Sequence, residues 1–292
     1  MPRLTQEETR ELFLAACSAE LNALKPGNVH IHAGGHGMET AHFEASASAA
    51  APWIADPALG VGLRIQGAVE ASIAVTGVNT NLGIILLSAP LALAGEHATG
   101  SDLRSEVAGI LSRLDDVDTA AVFNAIRRAN PGGLGSAPEQ DVARAPTAGL
   151  LQAMALAADR DRIARAYVTD FEEVFAFGLP ALLRARAIAT EEAFAVTTLH
   201  MAYLAEKLDS HIVRKLGWKE ALAVQQEAQG LRPLWDPVAG PQSLPRLLEF
   251  DGALKARGLN PGTTADFVVA TLFAAAICER MGRGGTVSPL VE

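Results

Sequence analysis

The apolar residues of this chain are mostly Ala and Leu, and this choice limits the fold more than any other feature. Hydrophobic residues make up 49% of the 292 residues, whereas aromatic residues make up only 5%. Ala and Leu favour helices, and the alternating runs of Val, Ile or Tyr that favour strands are scarce. The sequence therefore predicts an all-α protein, and we expect a single large multi-helix orthogonal bundle.

Start and stop signals divide the chain into successive helices. Thr5 followed by Glu8 is a capping-box pattern, and Pro52 is expected to end the second helix. The Gly-rich segment 130–136 is the plainest break and suits either a linker or a long loop. Because no change in composition follows it, we favour a loop and assign residues 1–292 to one domain. The helices are predicted at 5–24, 40–51, 62–75, 81–95, 101–114, 118–129, 146–158, 160–177, 180–189, 191–207, 209–216, 219–229, 244–257 and 263–281.

The charge balance narrows the class of partner. A formal net charge of −9 argues against nucleic acid or an anionic membrane as the main partner, although a local basic pocket for a phosphate is compatible with it. The N-terminus lacks a signal-peptide pattern, and the longest uncharged apolar run, 82–95, is too short to span a bilayer. We expect a cytoplasmic protein that binds a small phosphorylated substrate. An Ala-rich helical chain also suits a homodimer, but no segment marks an interface.

A polar turn interrupts the most apolar part of the chain. Residues 76–83, Thr-Gly-Val-Asn-Thr-Asn-Leu-Gly, carry two Asn and two Thr between two helices that are otherwise almost wholly apolar. Glu70 is the only charged residue between Ile65 and Gly95, one to two helical turns before that turn. Because bare polar groups are costly to bury, these residues indicate a functional site. The alternative for Glu70 is a solvated outer face of its helix.

Four histidines, His30, His32, His36 and His42, follow the first helix. Imidazole is a good metal ligand, but no Cys or regular acidic partner completes a tetrahedral set, which disfavours a transition-metal site. Surface or hydrogen-bonding roles are expected for most of them. His36 differs because it lies between two glycines, where the backbone can approach a ligand closely. It is a candidate binding residue, with a hydrogen-bonding role in the loop as the alternative.

The sequence Asp-Ser-His-Ile-Val-Arg-Lys, which begins at Asp209, opens a short predicted helix. Ser210 and Arg214 are four residues apart and share a face, as do His211 and Lys215. A hydroxyl and a guanidinium on one face suit a phosphate, because Arg can bind two of its oxygens at once. The alternative is structural: Asp209 caps the helix and the cations complement its dipole.

Two more segments place polar residues at helix ends. Asn-Pro-Gly-Thr-Thr-Ala-Asp, which ends at Asp266, precedes a long apolar helix. Its free N–H groups with the hydroxyls of Thr263 and Thr264 suit an anion or a ribose, whereas a capping box between Thr263 and Asp266 is the alternative. The segment from Lys25 to Gly27 is either a helix stop or a Lys presented on a rigid turn. Such ends can converge on one cavity between helices.

In chain order, these motifs resemble those of the triphosphoribosyl-dephospho-CoA synthase family of citrate lyase and malonate decarboxylase systems. The resemblance extends from about residue 20 to residue 273. Each motif is short, but the ordered set is fairly specific. The motifs are Lys25-Pro26-Gly27, Gly35-His36-Gly37, Gly77-Val78-Asn79-Thr80, Asp209-Ser210 with Arg214, and Gly262-Thr263-Thr264-Ala265-Asp266.

The resemblance implies an all-helical, Mg²⁺-dependent transferase that uses ATP. The family reaction cuts the N-glycosidic bond of ATP, joins ribose C1 to the 2′-hydroxyl of dephospho-CoA and releases adenine. An oxocarbenium-like centre needs a nearby carboxylate, and a hydroxyl nucleophile needs a general base. By resemblance, Glu70 and Asp209 are placed at the catalytic or Mg²⁺-binding centre. The residues expected to bind the nucleotide or other substrate groups are Lys25, Gly27, His36, Asn79, Thr80, Asn81, Ser210, Arg214, Lys215, Thr263, Thr264 and Asp266.

Two motifs depart from the family pattern. The family turn usually reads Gly-Val-Asn-Thr-His-Lys-Gly, whereas Asn81 and Leu82 replace the His and Lys here. The usual Gly-x-His-x-Asp-Met is shortened to Gly-His-Gly-Met, which ends at Met38 and lacks the Asp. These departures, with the segment 133–175, indicate a divergent branch. Such branches occur among genes for C1-carrier coenzymes such as methanopterin and methylofuran.

Three functions are therefore weighed. The first is a family transferase that acts on a nucleotide or phosphorylated precursor in coenzyme or prosthetic-group synthesis. The second is an enzyme of C1-carrier coenzyme synthesis with a different phosphorylated substrate. The third is a non-catalytic helical binding protein, for which Glu70→Gln and Asp209→Asn would leave the biological role intact.

Overall fold

The structure, a computed structural model, describes residues 3–98, 102–132 and 139–282. Its regular secondary structure is helical, with no strand in those ranges, which confirms the all-α prediction. The assignment to one domain stays a prediction. The helices are α1 Gln6–Leu21, α2 Thr40–Ile54, α3 Val61–Thr76, α4 Leu82–His97, α5 Leu103–Leu111, α6 Asp116–Ala129, α7 Leu150–Ala157, α8 Arg162–Val168, α9 Leu179–Ile188, α10 Glu192–Glu206, α11 Ser210–Leu216, α12 Trp218–Gly230, α13 Arg232–Trp235, α14 Leu244–Ala256 and α15 Gly262–Gly282.

Helix α10 joins two hydrophobic clusters. Val196, Leu199 and Tyr203 pack into the larger cluster, which surrounds α4 and α15, whereas Met201 and Leu204 pack into a smaller one with α12 and α14. All five side chains are fully or almost fully buried. A helix that is apolar on both faces belongs in the interior, and α10 accordingly holds the two parts of the core together.

Helix α15 is long and apolar enough, by length and composition, to cross a membrane. However, 72% of its most apolar window is buried inside the protein. Its neighbours include α1, α4, α9 and α10. Burial against other helices accounts for its composition, so α15 is the central core helix of the larger cluster.

Some helix boundaries differ from those predicted. Thr5 and Glu8 form the predicted capping box, but α2 continues past Pro52 to Ile54. Proline removes one backbone hydrogen bond, and this loss is tolerated because the helix ends within the next turn. The helix predicted at 160–177 breaks after Val168, where Asp170 and Phe171 adopt left-handed φ angles of 50° and 55°. The chain then continues as a π-helix, Glu173–Gly178, that runs directly into α9.

Six helices enclose the space in which the candidate site lies. Helix α11 packs on α15, α15 on α4, α4 on α8, α8 on α7 and α7 on α6. The N-terminal ends of α4, α11 and α15 face this space, as the polar sequence motifs at those ends led us to expect. Of the sequence signals, Ser101 and residues 133–136 lie outside the described residues.

Candidate functional site

A cavity of about 900 Å³, which we call the main cavity, lies between these helices. One wall is apolar and comes from α4, α6, α7 and α8. A more polar part of the lining, the polar wall, comes from the starts of α11 and α15 and from the loops that follow α1, α3 and α6. A volume of this size suits a nucleotide-sized ligand. The apolar wall is formed by Leu82, Ile84, Leu86, Phe123, Ile126, Leu150, Met154 and Ile163.

Asp209 ties the starts of two helices together behind the polar wall. Its Oδ1 accepts a hydrogen bond from the Ile212 N–H at 3.0 Å, which caps α11. Its Oδ2 accepts one from the Thr264 N–H at 2.8 Å in the first turn of α15. The side chain is buried and does not line the main cavity. Both carboxylate oxygens are thus used within the protein, where the positive ends of two helix dipoles stabilise the charge.

The hydroxyl groups beside Asp209 join the same helices. Ser210 Oγ donates to Thr263 Oγ1 at 3.1 Å, and Thr264 Oγ1 accepts from Arg162 Nη1 at 3.1 Å. Arg162 also forms a buried ion pair with Glu173, which the π-helix carries. Of Ser210, Thr263 and Thr264, only Thr263 lines the main cavity. Ser210 and Thr264 form hydrogen bonds that join α8, α11 and α15.

Asp266 faces the main cavity without a hydrogen-bond donor from the described residues. It lies against Gly83 in the first turn of α4, and a Cβ at that glycine would overlap its carboxylate. Burial holds the pKa of Asp266 well above its usual range, and the charges of Asp209 and Glu20 raise it further. The carboxyl group therefore keeps its proton to higher pH unless a cation comes close. The predicted capping box with Thr263 does not form.

Lys25 does not line the main cavity, but its ion-pair partner Glu20 does. The two side chains form a buried ion pair, and Glu20 lines the cavity. Burial lowers the pKa of Lys25 and raises that of Glu20. Lys25 was predicted to bind phosphate itself, but in the structure its ammonium group is enclosed with Glu20 and Asn28.

The turn at Gly27 brings the loop after α1 against the start of α15. Gly27 has a left-handed φ of 85°, and a Cβ there would lie 2.7 Å from Pro261 Cδ. Its N–H donates to Asp251 Oδ1 at 2.9 Å, and the Asp251 carboxylate also pairs with Lys255. A side chain at this position would push the two segments apart, so glycine is required here. Gly27 shapes the wall and does not line it.

His36 lies at the rim of the main cavity in a left-handed conformation, with φ of 55°. Its Nε2 is 2.9 Å from the Gly27 carbonyl oxygen, a hydrogen bond in which the ring N–H donates. The hydrogen bond shows the role in the loop, whereas binding of a ligand by His36 stays a prediction.

The polar turn after α3 divides between the cavity and the protein interior. Asn79 and Thr80 line the main cavity. Asn79 Oδ1 accepts from the Leu82 N–H at 3.2 Å, so Asn79 caps α4 in place of Asn81, which makes no side-chain cap. Asn81 is buried and donates through Nδ2 to Ser72 Oγ at 3.2 Å.

Arg214 and Lys215 both line the main cavity, as predicted. Arg214 donates to the Gly132 carbonyl at 3.0 Å and to Asp161 Oδ2 at 3.1 Å. Arg128 and Arg160 are two further cations in the lining. Arg214 is held towards the cavity by its partners, whereas Lys215 is exposed at the rim.

Glu70 is separate from this constellation. It lies on an exposed face of α3, where its carboxylate accepts a hydrogen bond from Gln66 Nε2 at 2.8 Å. The structure therefore shows the alternative, a solvated outer face, on which α3 also exposes apolar side chains such as Leu63 and Val75. The assignment of Glu70 to a catalytic or magnesium centre stays a prediction that its position does not support.

Sequence reasoning missed several residues of the lining. Glu20 carried a usable signal, because it continues the core face of α1 that contains Phe13 and Cys17, where a charge is unusual. The two additional arginines carried none, because cations at helix ends are common. The missed polar residues include Glu20, Asn28, Arg128, Arg160, Asp161, His211 and Asn260.

No group of three or more His, Cys, Asp or Glu side chains suited to a metal ion occurs within the described ranges. His30 is buried beside Asp251, with its Nε2 3.3 Å from Oδ1. It therefore serves the loop by hydrogen bonding.

Comparison with known proteins gives a consistent result. The profile of the CitG family, described as ATP:dephospho-CoA triphosphoribosyl transferase, matches residues 6–284. A crystal structure from Archaeoglobus fulgidus, described provisionally as a triphosphoribosyl-dephospho-CoA synthase, superposes with a TM-score of 0.62 at 24% identity. That match covers 79% of this chain and 96% of the archaeal chain and shows a shared fold. No curated protein sequence matches significantly.

The family match spans nearly the whole chain and agrees with the resemblance first seen in the ordered motifs. Members of the family are transferases of prosthetic-group biosynthesis, which confirms the enzyme class predicted from the sequence. The chain belongs to the ATP:dephospho-CoA triphosphoribosyl transferase family.

Proposed function

We propose that the main cavity binds ATP and transfers its triphosphoribosyl group to a hydroxyl group of dephospho-CoA, with release of adenine. The observation that carries this proposal is that apolar side chains, cations and carboxylates line one nucleotide-sized cavity. A nucleotide presents the same combination, with a flat apolar base at one end and a polyanion at the other. The family reaction requires both ends to be held.

The cations of the lining suit the triphosphate. Arg128, Arg160, Arg214 and Lys215 come from three separate elements and face one cavity, in a chain whose overall charge is negative. Guanidinium groups bind phosphate oxygens in pairs, which fixes the orientation as well as the position of the chain of phosphates. The local positive charge is therefore the feature that allows an acidic protein to bind a polyanion.

Magnesium fits the carboxylates present. Mg²⁺ is usually held by one or two carboxylates together with substrate phosphates, so a three-residue protein site is unnecessary. Asp266 faces the cavity with no described donor and with a raised pKa, which a bound cation would relieve. Asp266, with Glu20 nearby, would hold the ion. When bound, Mg²⁺ would neutralise charge on the phosphates.

The apolar wall suits the adenine and the acceptor's alkyl chain. Leu82, Phe123 and Met154 present a surface on which an aromatic base can lie out of water. Cleavage of the N-glycosidic bond develops positive charge at ribose C1, and carboxylates in the polar wall stabilise such charge. The adenine leaves with the bonding electron pair.

Incubation with ATP, Mg²⁺ and dephospho-CoA tests the proposal directly. We expect stoichiometric release of adenine and a product heavier than dephospho-CoA by one triphosphoribosyl group. Arg160→Ala should raise the KM for ATP by roughly tenfold or more, the effect of losing a charge-assisted contact. Arg113→Ala, on an exposed residue at the end of α5, is the matched control. A folded protein that releases no adenine would exclude this reaction.

The altered turn favours one alternative acceptor. Leu82 lines the cavity where the family turn usually has Lys, so the chain presents an apolar surface there. A phosphorylated precursor of a C1-carrier coenzyme of the methanopterin or methylofuran type is the second candidate. A deletion strain with unchanged C1 carriers would rule it out. One-carbon metabolism and a cytoplasmic location stay predictions.

A further inference from the structure

His211 lines the main cavity from the first turn of α11 and has no role in the binding scheme above. Its ring lies beside the start of α15, where a Cβ added to Gly262 would come within 2.9 Å of His211 Nδ1. A side chain at residue 262 would therefore displace the imidazole. Glycine at this position leaves room for the ring at the edge of the cavity.

Neither ring nitrogen of His211 has a hydrogen-bond partner among the described residues. Nε2 is buried and unpaired. Buried polar atoms in proteins are almost always paired, and an exception calls for a ligand, an ion or a catalytic task. His211 and Gly262 both line the main cavity, whose volume of about 900 Å³ can hold a group that hydrogen-bonds to this ring.

Burial favours the neutral form of the His211 imidazole. Burial lowers the pKa of His211 to about 4, and the charges of Lys215, Arg214 and His36 lower it further, whereas Asp209 opposes them. One nitrogen of a neutral imidazole carries a free lone pair that can accept a proton. The ring therefore enters the reaction in its basic form.

Three acidic groups of the lining are less suited to accept a proton. Glu20 is paired with Lys25, and Asp161 is paired with Arg214. Asp266 holds its own proton to higher pH, or is committed to the cation proposed above. His211 thus combines a free acceptor atom, a place in the cavity wall and the right charge state.

We propose that His211 is the catalytic residue that accepts the proton of the acceptor hydroxyl during transfer. This inference rests on the proposed function. The hydroxyl oxygen bonds to ribose C1 as the C1–N9 bond breaks, and the electron pair of that bond leaves with adenine. The hydroxyl proton passes to His211 and finally to the departing adenine, so the step needs no further reactant.

Substrate binding increases the basicity of His211. The triphosphate neutralises Arg214 and Lys215, whose positive charges disfavour protonation of the ring in the free protein. General bases work best when their pKa approaches the working pH. The ring is consequently weakly basic in the free enzyme and becomes a better base in the complex.

His211→Gln tests this role, because Gln keeps a hydrogen-bonding group but cannot take up a proton. We expect kcat for transfer to dephospho-CoA to fall roughly 10²- to 10⁴-fold, the usual contribution of a general base, with little change in the KM for ATP. Slow adenine release without acceptor, by water, should be reduced far less. His97→Gln, on an exposed residue at the far end of α4, is the control and should retain full activity.

Full transfer activity in a folded His211→Gln protein would overturn the proposal, as would an equal loss of the acceptor-independent reaction. His211→Asn replaces Gln if that variant does not fold. Absence of adenine release from the unmodified protein would instead contradict the proposed function, so the two failures are distinguishable.

Discussion

Asp209→Asn separates a structural role of this residue from a catalytic one. The carboxylate accepts one backbone hydrogen bond at the start of α11 and another at the start of α15. Asparagine keeps one acceptor oxygen and replaces the other with an NH₂ group. One of the two backbone N–H groups would then face a donor. The variant therefore breaks one of two links and leaves the volume of the side chain unchanged.

The expected loss of stability follows from these two contacts. A hydrogen bond to a charged group contributes about 1.5–3 kcal/mol, and a buried donor left unpaired costs a similar amount. Loss of the negative charge at two helix starts adds about 0.5–1 kcal/mol. The second bond is retained with a neutral acceptor, so we expect Asp209→Asn to lower the free energy of unfolding by about 2–4 kcal/mol.

Urea unfolding followed by circular dichroism measures this change. Asp102→Asn is the matched control, since Asp102 caps α5 through the Ser105 N–H at 3.1 Å on the exposed surface. One exposed cap contributes about 1 kcal/mol or less. The control should therefore lose much less stability than Asp209→Asn.

The opposite pattern would refute the structural reasoning. If the free energy of unfolding of Asp209→Asn is within about 0.5 kcal/mol of that of the unmodified protein while kcat is largely lost, the residue acts in the chemistry, as the sequence first indicated. If it is destabilised but keeps kcat at a temperature where it is folded, the structural role stands. A third outcome is the loss of both stability and kcat. An assay at a low temperature, where circular dichroism shows that the variant is folded, resolves this case. A folded but inactive variant again places Asp209 in the catalytic step.

Three further variants test the remaining features. The pKa of Asp266 is raised in the folded state, so the contribution of this residue to stability is present at low pH and declines as the pH rises above the unfolded-state pKa near 4. Asp266→Asn should therefore make the ligand-free protein more stable at pH 8 and leave its stability unchanged at pH 4. Thermal unfolding at both pH values measures this difference. Glu70→Gln should leave kcat and KM unchanged in the adenine-release assay, because the exposed carboxylate is hydrogen-bonded to Gln66 and does not line the main cavity. A large loss of kcat would restore its predicted catalytic role. Gly83→Ala should disturb the Asp266 carboxylate and weaken Mg²⁺-dependent ATP binding in calorimetry, whereas unchanged binding would remove Asp266 from the site.

Much of the fold could be predicted from the sequence because its information is local. Helix starts carry their caps, as Thr5 and Asp209 show, and the Ala- and Leu-rich segments between them have no competing strand pattern. The break after Val168 was missed because two non-glycine residues adopt left-handed conformations there. Tertiary contacts stabilise it, since Phe171 is fully buried and Arg104 donates to the carbonyl oxygens of 169 and 170.

The candidate site was predicted less completely, and the misses follow a physical pattern. About half of the predicted site residues line the main cavity, and most of the others make contacts within the protein. Asp209 and Thr264 show why, because the same polar groups that bind a ligand also satisfy the free N–H groups of a helix start. Sequence alone does not distinguish these uses. The choice depends on which neighbouring helix approaches, and this is a long-range property.

The residues that join helix ends, which we call the frame, are distinct from those that line the main cavity. This difference suggests how the family can change its substrate. Lys25, Gly27 and Asp209 connect helix ends to each other, and their replacement would disturb the whole wall. The positions of the cations in the lining are less strictly fixed, because a long side chain can reach a phosphate from several elements. The turn here has Leu82 where the family usually has Lys, yet four cations from other elements still face the cavity. A changed lining on an unchanged frame can therefore retain a polyanion site while the surface offered to the second substrate becomes apolar.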